Sequence, residues 1–452
     1  MIMTNFFNAN AIKWLEVILS ERFGDQFSLV KGNDQNLKLM VDGLPGFILF
    51  DCFDPCFQQF SSDLGCFFWD PSVEGLVSVL GGIMPAPSSR ALPEKIIGQS
   101  DTGFIIHYDI LGLIYWVLNR NEEVGSKNVD SHGRFPAELS HAFRHGYLER
   151  PIVDEWLHLL GQVVEKQWPC INLKKHSYKL CVSHDVDSPS MYAFKPWMQI
   201  ARMMASHLLK RNDFKAFLNA FHVKVSTKKK LHILDPHNTF DWLMSVSEKN
   251  NLRSSFYFIS GGHNLKYDAD YSLEDPIIRS LIKSIHNRGH NIGLHPSYDT
   301  YLTPELIKHE ADRLKNICKE ENITQLMWGG RMHYLRWRQP NTLNGWEIAD
   351  MDYDSTLGYA NMPGFRCGTC FDYQAFDVLE QKILSFRLKP LLFMDSMMTN
   401  ASGFGVIYEK ILSLKASVKA VNGTFNFLWH NSSLANNIEK NNYSKILKEL
   451  SV

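Results

Sequence analysis

Four short stretches of this chain bring ionisable side chains to the point where an apolar run stops. They are "CVSHDVDSP" (Cys181 to Pro189), "GHNIGLHPSYDT" (Gly289 to Thr300), "WGGRMHYLRW" (Trp328 to Trp337) and "LWHNSS" (Leu428 to Ser433). The first carries His184, Asp185 and Asp187 within four residues, which suits a metal, a proton-transfer pair or an ordinary capped turn. Two carboxylates that close repel, and a cation beside them lets both stay ionised. One can then bind the ion while the other remains available to take a proton from water. A neutral imidazole such as His295 is a standard ligand for zinc-like ions, and His430 is placed to protonate a leaving group. Each residue has a plain reading too, as a helix cap or a satisfied imidazole. Four such clusters at the ends of successive strands carry more weight, because one sheet would gather them.

The elements around these stretches support that gathering. From Lys179 the pattern alternates strands ("KLCVS", "SSFYFIS", "NIGLH", "QLMWGG", "DYDSTLG", "TFNFLWH") with helical stretches such as "DPIIRSLIKSIHNRG" and "TPELIKHEADRLKNICKE". "KILSFRLKPLLFMD" adds a further strand pair. Alternation of this kind predicts a parallel sheet, closed as a barrel or open, with its chemistry at the C-terminal strand ends. Residues 1–168 read instead as an α+β accessory domain, and "EKQWPCINLKKHSYK" marks the boundary with a second domain over 169–452. In the first part "DSHGRFPAELSHAFRHGYLERP" reads as a polar surface segment.

Composition bounds the function. The chain has 452 residues, 45% hydrophobic and 21% charged, and a net charge of -1, which argues against nucleic-acid binding as its main business. The N-terminus lacks the basic start and clean apolar stretch of an export signal, and Ile12, Leu15, Ile18 and Leu19 space out an amphipathic helix. The most apolar run, Ile110 to Leu118, is too short for a bilayer, so a cytoplasmic location is expected. Eight cysteines without an export signal are expected to be reduced, and Cys367-Gly-Thr-Cys370 reads as buried or loop thiols, not half a zinc ribbon. The segment from Met191 to Lys230 holds nine Lys/Arg against one acidic residue, interleaved with Phe194, Trp197, Met198, Met203 and Met204. It reads either as a solvated helical excursion or as a contact for a membrane surface or a lipid-phosphate-linked glycan.

Asp185-Val-Asp187, then Gly289-His-Asn-Ile-Gly-Leu-His295, then the Arg331 turn, then Leu428-Trp-His430 resemble the ordered motifs of the polysaccharide deacetylases, the carbohydrate esterases of family four. The resemblance covers roughly Lys175 to Leu434 and implies a deformed (β/α) barrel of about seven strands. The first part looks like the extra domain preceding such barrels in one bacterial branch. By this resemblance Asp185 is the catalytic base, Asp187 and His295 bind a divalent metal (zinc is the expected ion), and Arg331 orients the base. A backbone N–H at Tyr334 helps bind the oxyanion, and His430 is the general acid. Asp354 and Arg366 fall where the family keeps polar groups that set the acid and its neighbours. The place of a second metal-binding His, four residues after the first, holds Asp299. The third ligand is therefore Asp299, with His184 or His333 as a substitute, or the metal is weakly held or absent. The implied reaction is hydrolysis of an N-acetyl group from an amino sugar in a bacterial surface glycan or its precursor. Trp328, Trp337, Tyr359 and Trp429 are candidates to stack on sugar rings. The alternatives are a metal-free, non-catalytic glycan-binding protein and a glycosidase on a related barrel, and the latter needs an opposing carboxylate that D-x-D alone does not supply.

Overall fold

The computed structural model describes residues 7–24, 27–32, 36–101, 103–262, 264, 266–399 and 403–452. The first six residues, part of the stretch read for an export signal, lie outside them. The first part of the chain forms a five-stranded sheet in the order Phe27–Lys31, Leu37–Val41, Ile48–Phe50, Gly103–Ile106, Ile97–Ser100. The expected amphipathic helix is Ala9–Phe23: the Asn8 side chain caps it by accepting from Ala11 N–H, and Ile12, Leu15, Ile18 and Leu19 are buried. The apolar run Ile110–Leu118 is a nine-residue helix with every residue buried. Asp109 caps it by accepting from Gly112 N–H and also holds Asp54 N–H. Among the described residues no helix is long and apolar enough to cross a membrane.

The second part is a mixed α/β unit built on one nine-stranded sheet. Its order is Tyr373–Asp377, Lys382–Leu388, Tyr353–Asp354, Gly329–Gly330, Asn291–His295, Ser255–Ile259, Lys179–Val186, Thr424–Leu428, Phe393–Met394. Every neighbouring pair is parallel except the first, an antiparallel hairpin at the edge. That hairpin is not anticipated from sequence. Two expected strands shrink to dipeptides, Gly329–Gly330 and Tyr353–Asp354. The run Lys382–Met394 serves both flanks of the sheet. Its first part pairs with Tyr353–Asp354, Leu391 N–H donates to Leu357 O (2.9 Å), and Leu392 N–H donates to Asn426 O (3.2 Å) before Phe393 and Met394 pair with Phe427 and Leu428.

Glycine thins the middle of this sheet. A Cβ on Gly330 would collide with the Leu294 backbone carbonyl, and one on Gly293 would lie 2.5 Å from Gly329 O. Backbone cannot retreat as a flexible side chain can, so Gly330→Ala is expected to destabilise the protein by about 2 kcal/mol or more. Chemical denaturation checks this, and a midpoint equal to wild type would contradict it.

The stretch "DSHGRFP" (residues 130–136), expected as polar surface, is not a free loop: it and residues 120–123 pack onto the C-terminal rim of the large sheet. Arg366 donates to both Glu123 oxygens (2.9 and 2.6 Å), and Arg120 pairs with Glu122 and Glu123. Arg336 donates to His132 O at 2.7 Å, and Arg134 donates to Tyr334 O at 3.0 Å. Cys367 and Cys370 are buried thiols, and Cys370 rests against Asp154.

Candidate active site

The parallel register carries four strand ends to one rim. Asp185 is opposite Tyr257, which is opposite Gly293, while Leu294 is opposite Gly330 and Leu428 is opposite Ser183. Asp185, Asp187, His295, Arg331, His333 and His430 therefore converge. All but Arg331 line a cavity of about 720 Å³, with Tyr267 and Tyr334 among its other walls.

Asp185 is buried, and its Oδ1 accepts from Arg331 Nη1 at 2.8 Å. Arg331 is itself fixed through Ser183 Oγ (2.9 Å), the Ser355 carbonyl (2.9 Å) and Ser355 Oγ (3.1 Å). The other oxygen of Asp185 lies 3.7 Å from His295 Nε2. The base candidate is thus locked in orientation by one guanidinium, which a flexible lysine would hold less well.

Three ligand-type atoms meet beside it. Asp187 Oδ1 lies 3.2 Å from His295 Nε2 and 3.6 Å from His333 Nδ1, and the two imidazole nitrogens are 3.0 Å apart. The far nitrogen of each ring is engaged by a carbonyl, His295 Nδ1 with Arg331 O (2.5 Å) and His333 Nε2 with Tyr267 O (2.8 Å). Those contacts place the N–H on the far side of each neutral ring and turn both lone pairs inward. Two inward lone pairs repel unless a positive charge lies between them, either a proton or a metal ion. Asp187 Oδ1 is buried without an aligned donor, so a metal ion satisfies all three atoms where a proton serves two. The set of two histidines and one carboxylate fits a zinc-like ion. Electrostatics favour a positive charge at this spot. Burial opposes charge on Asp187, but His333, His295 and His430 outweigh it and hold the carboxyl well below its usual range. Burial likewise opposes charge on His295, and Asp185 and Asp187 overcome it and raise its pKa.

His430 follows the Thr424–Leu428 strand. Its Nδ1 lies 2.6 Å from Asp395 Oδ1, and its Nε2 lies 3.6 Å from Asp187 Oδ2. Burial disfavours the imidazolium, but Asp395, Asp187 and Asp185 more than compensate and raise the pKa to about 10. Asp395 is buried and also accepts from His430 N–H at 3.3 Å.

Several expected site residues lie elsewhere. Asp299 does not reach the cluster: its side chain is 60% exposed, paired with Arg336 (3.3 Å) and accepting from Asn264 Nδ2 (3.0 Å). His184 faces the opposite side of its strand, as period-two alternation with Asp185 requires. Its Nδ1 contacts Trp429 O at 2.8 Å, and its ring packs on Phe256. Burial lowers its pKa to about 4. Asp354 and Arg366 do not touch His430. Asp354 accepts from Thr356 N–H and from its hydroxyl, and Thr356 Oγ1 accepts from Met332 N–H, so it braces the Arg331 turn at one remove. Arg366 closes the seam to Glu123. Tyr334 lines the cavity, with φ at 62°, in a left-handed turn that an L-residue adopts only under strain. Its ring lies against His132 (4.7 Å), Tyr298 (5.2 Å) and Tyr267 (5.5 Å). Trp337, Tyr359 and Trp429 are buried and Trp328 is half-buried, and none of them lines the cavity among the described residues. Asp395 and Arg134 are the site residues that sequence reasoning missed.

Residues 52–169 match the model of a family of unknown function, DUF7033. No curated protein shows significant sequence similarity to the chain. Among solved structures, similarity extends to a protein assigned to the polysaccharide deacetylases from Mycobacterium smegmatis, at 13% identity and TM-score 0.39, covering 62% of this chain and 85% of that one. The Puue allantoinase is similar at 9% identity and TM-score 0.38, over 62% and 85%. A protein from Pseudomonas aeruginosa PAO1, also assigned to the polysaccharide deacetylases, follows at 11% identity and TM-score 0.36, over 60% and 84%. Likeness at this level carries no part of the functional reading.

Proposed function

We propose that the protein is a metal-dependent hydrolase that removes the N-acetyl group from an amino sugar of a surface glycan or its precursor. The observation that carries this reading is the placement, in one cavity, of an Arg-locked carboxylate, a three-donor cluster and an Asp-backed imidazole. Asp187, His295 and His333 would hold the ion, which when bound polarises the amide carbonyl and acidifies water nearby. Asp185, fixed by Arg331, removes the proton from the attacking water. The N–H of Tyr334, a residue of the cavity wall, is the candidate to steady the developing oxyanion. His430, kept cationic by Asp395, gives its proton to the departing amine. The products are acetate and a free amino sugar.

Seven parallel positions around the sheet support the barrel reading when the run Lys382–Met394, which bonds to both flanks, is counted once and the antiparallel edge strand Tyr373–Asp377 is left out. The division at residues 168 and 169 is supported by the sheets of the described residues, each of which lies wholly on one side of it. His333 supplies a third donor where Asp299 does not, which speaks against the metal-free binding protein. Acetate release from N-acetylated oligosaccharides by the metal-loaded protein tests the proposal. No release from any of them, with metal bound stoichiometrically, would refute it. Asp395→Asn is expected to lower kcat by about 10- to 100-fold with KM little changed, because the acid loses both its charge partner and its orientation. A kcat within twofold of wild type would remove Asp395 from the mechanism.

A further inference from the structure

The insertion after the first strand of the large sheet is a helical hairpin, Trp197–Leu209 and Phe214–Ser226. It has a small core of its own, Tyr192, Ile200, Ala220 and Val223. That core accounts for only part of its apolar surface. On the second helix Ala220 and Val223 face inward, while Phe214, Leu218, Phe221 and Val225 recur at steps of four, three and four on the outer face. These four are between 46% and 60% exposed. The first helix adds Trp197, Met198, Leu208 and Leu209, all exposed, and the Trp197 ring lies 6.3 Å from that of Phe221, joining the two sets. A stripe of Phe, Leu and Trp turned to solvent at helical period is costly unless something covers it.

The charge around the stripe says what covers it. Of the nine Lys/Arg between Met191 and Lys230, seven are exposed, and the only acid in that span is Asp213. Lys228, Lys229 and Lys230 follow the second helix directly, with Ile233 exposed beyond them. A second copy of this hairpin would bring the same positive excess against itself, which disfavours a symmetric dimer through this face. Phosphate recognition alone would leave the aromatic stripe unexplained. Exposed apolar side chains on a segment whose exposed charges are almost all Lys and Arg match the boundary between anionic headgroups and acyl chains.

We propose that this hairpin docks the protein on an anionic lipid bilayer, with the outer stripe seated among the acyl chains and the lysines on the headgroups. The hairpin's root, through Lys195 and Gln199, forms part of the wall of the candidate active-site cavity. Docking there sets the mouth of that cavity beside the lipid surface. The surface is independent of the hydrolase reading, and its test uses no substrate.

The experiment is co-sedimentation of the full-length protein with vesicles of phosphatidylcholine alone and of phosphatidylcholine mixed with phosphatidylglycerol. Binding to the mixed vesicles is expected to be at least about tenfold tighter and to weaken with added salt. Leu218→Gln with Phe221→Gln is expected to lower binding by about tenfold or more. Lys228→Gln with Lys229→Gln and Lys230→Gln should do the same, since these exposed lysines lie outside the hairpin core and their loss leaves it intact. Equal binding to both vesicle types, or binding that neither set of substitutions reduces, would overturn the proposal. So would a dimer in analytical ultracentrifugation that the Leu218/Phe221 pair abolishes while vesicles are ignored.

Discussion

Asp185→Asn is expected to lower kcat for acetate release by about 10³-fold while leaving bound metal unchanged. The substitution is nearly isosteric, and an amide oxygen can still accept from Arg331 Nη1, which lies 2.8 Å from Asp185 Oδ1. The Asp187, His295 and His333 donors do not include this residue. What is lost is the ability to take up a proton. Rate and metal content should therefore separate cleanly, read by acetate assay and elemental analysis on the same preparation. A variant within tenfold of wild type would mean that another group accepts the proton. A variant that loses metal would move Asp185 into the ligand set.

His430→Gln is expected to cost about 10²- to 10³-fold on an N-acetyl amino sugar, and far less on an acetyl ester with a good aryl leaving group. An amine cannot depart without a proton, whereas an aryloxide can. The imidazole is placed to supply one, with Nδ1 held by Asp395 at 2.6 Å and Nε2 turned toward the cavity residue Asp187 at 3.6 Å. Asp185→Asn should impair both substrates alike, because both need activated water. Parallel kinetics on the two substrates distinguish the roles. Equal losses for His430→Gln on both would indicate that the residue supports the site without acting as the acid.

Some of this site is legible in the sequence, and the reasons the rest is not are physical. Asp185, Asp187, His295, Arg331 and His430 each sit just at or past the end of an apolar strand, and a parallel sheet brings such ends together. The third donor depends on how two turns fold. Asp299 and His333 stand about equally near strand ends in the sequence, and the fold decides between them: Asp299 is held outside the cluster by Arg336 and Asn264, while the His333 turn brings Nδ1 to Asp187 and His295. Asp395 also follows a strand end, but a lone acid there reads as an ordinary cap, and nothing local shows that it meets His430 35 positions further on. Arg134 comes from a segment about 200 positions from the Tyr334 carbonyl it contacts, a pairing that no local pattern carries. In the 191–230 segment, composition revealed the positive charge, but only the helix packing shows that Leu218 and Phe221 face outward.

The claim on which the chemistry rests is that Asp187, His295 and His333 share one divalent ion and Asp299 does not. Zinc titration against a chromophoric chelator, on wild type, His333→Ala and Asp299→Ala, tests it directly. Affinity should fall by at least about 100-fold in His333→Ala, since losing a ligand costs no less than losing the partner that orients one, and should stay at the wild-type value in Asp299→Ala. Loss of zinc from Asp299→Ala, with His333→Ala still binding as tightly as wild type, would contradict it.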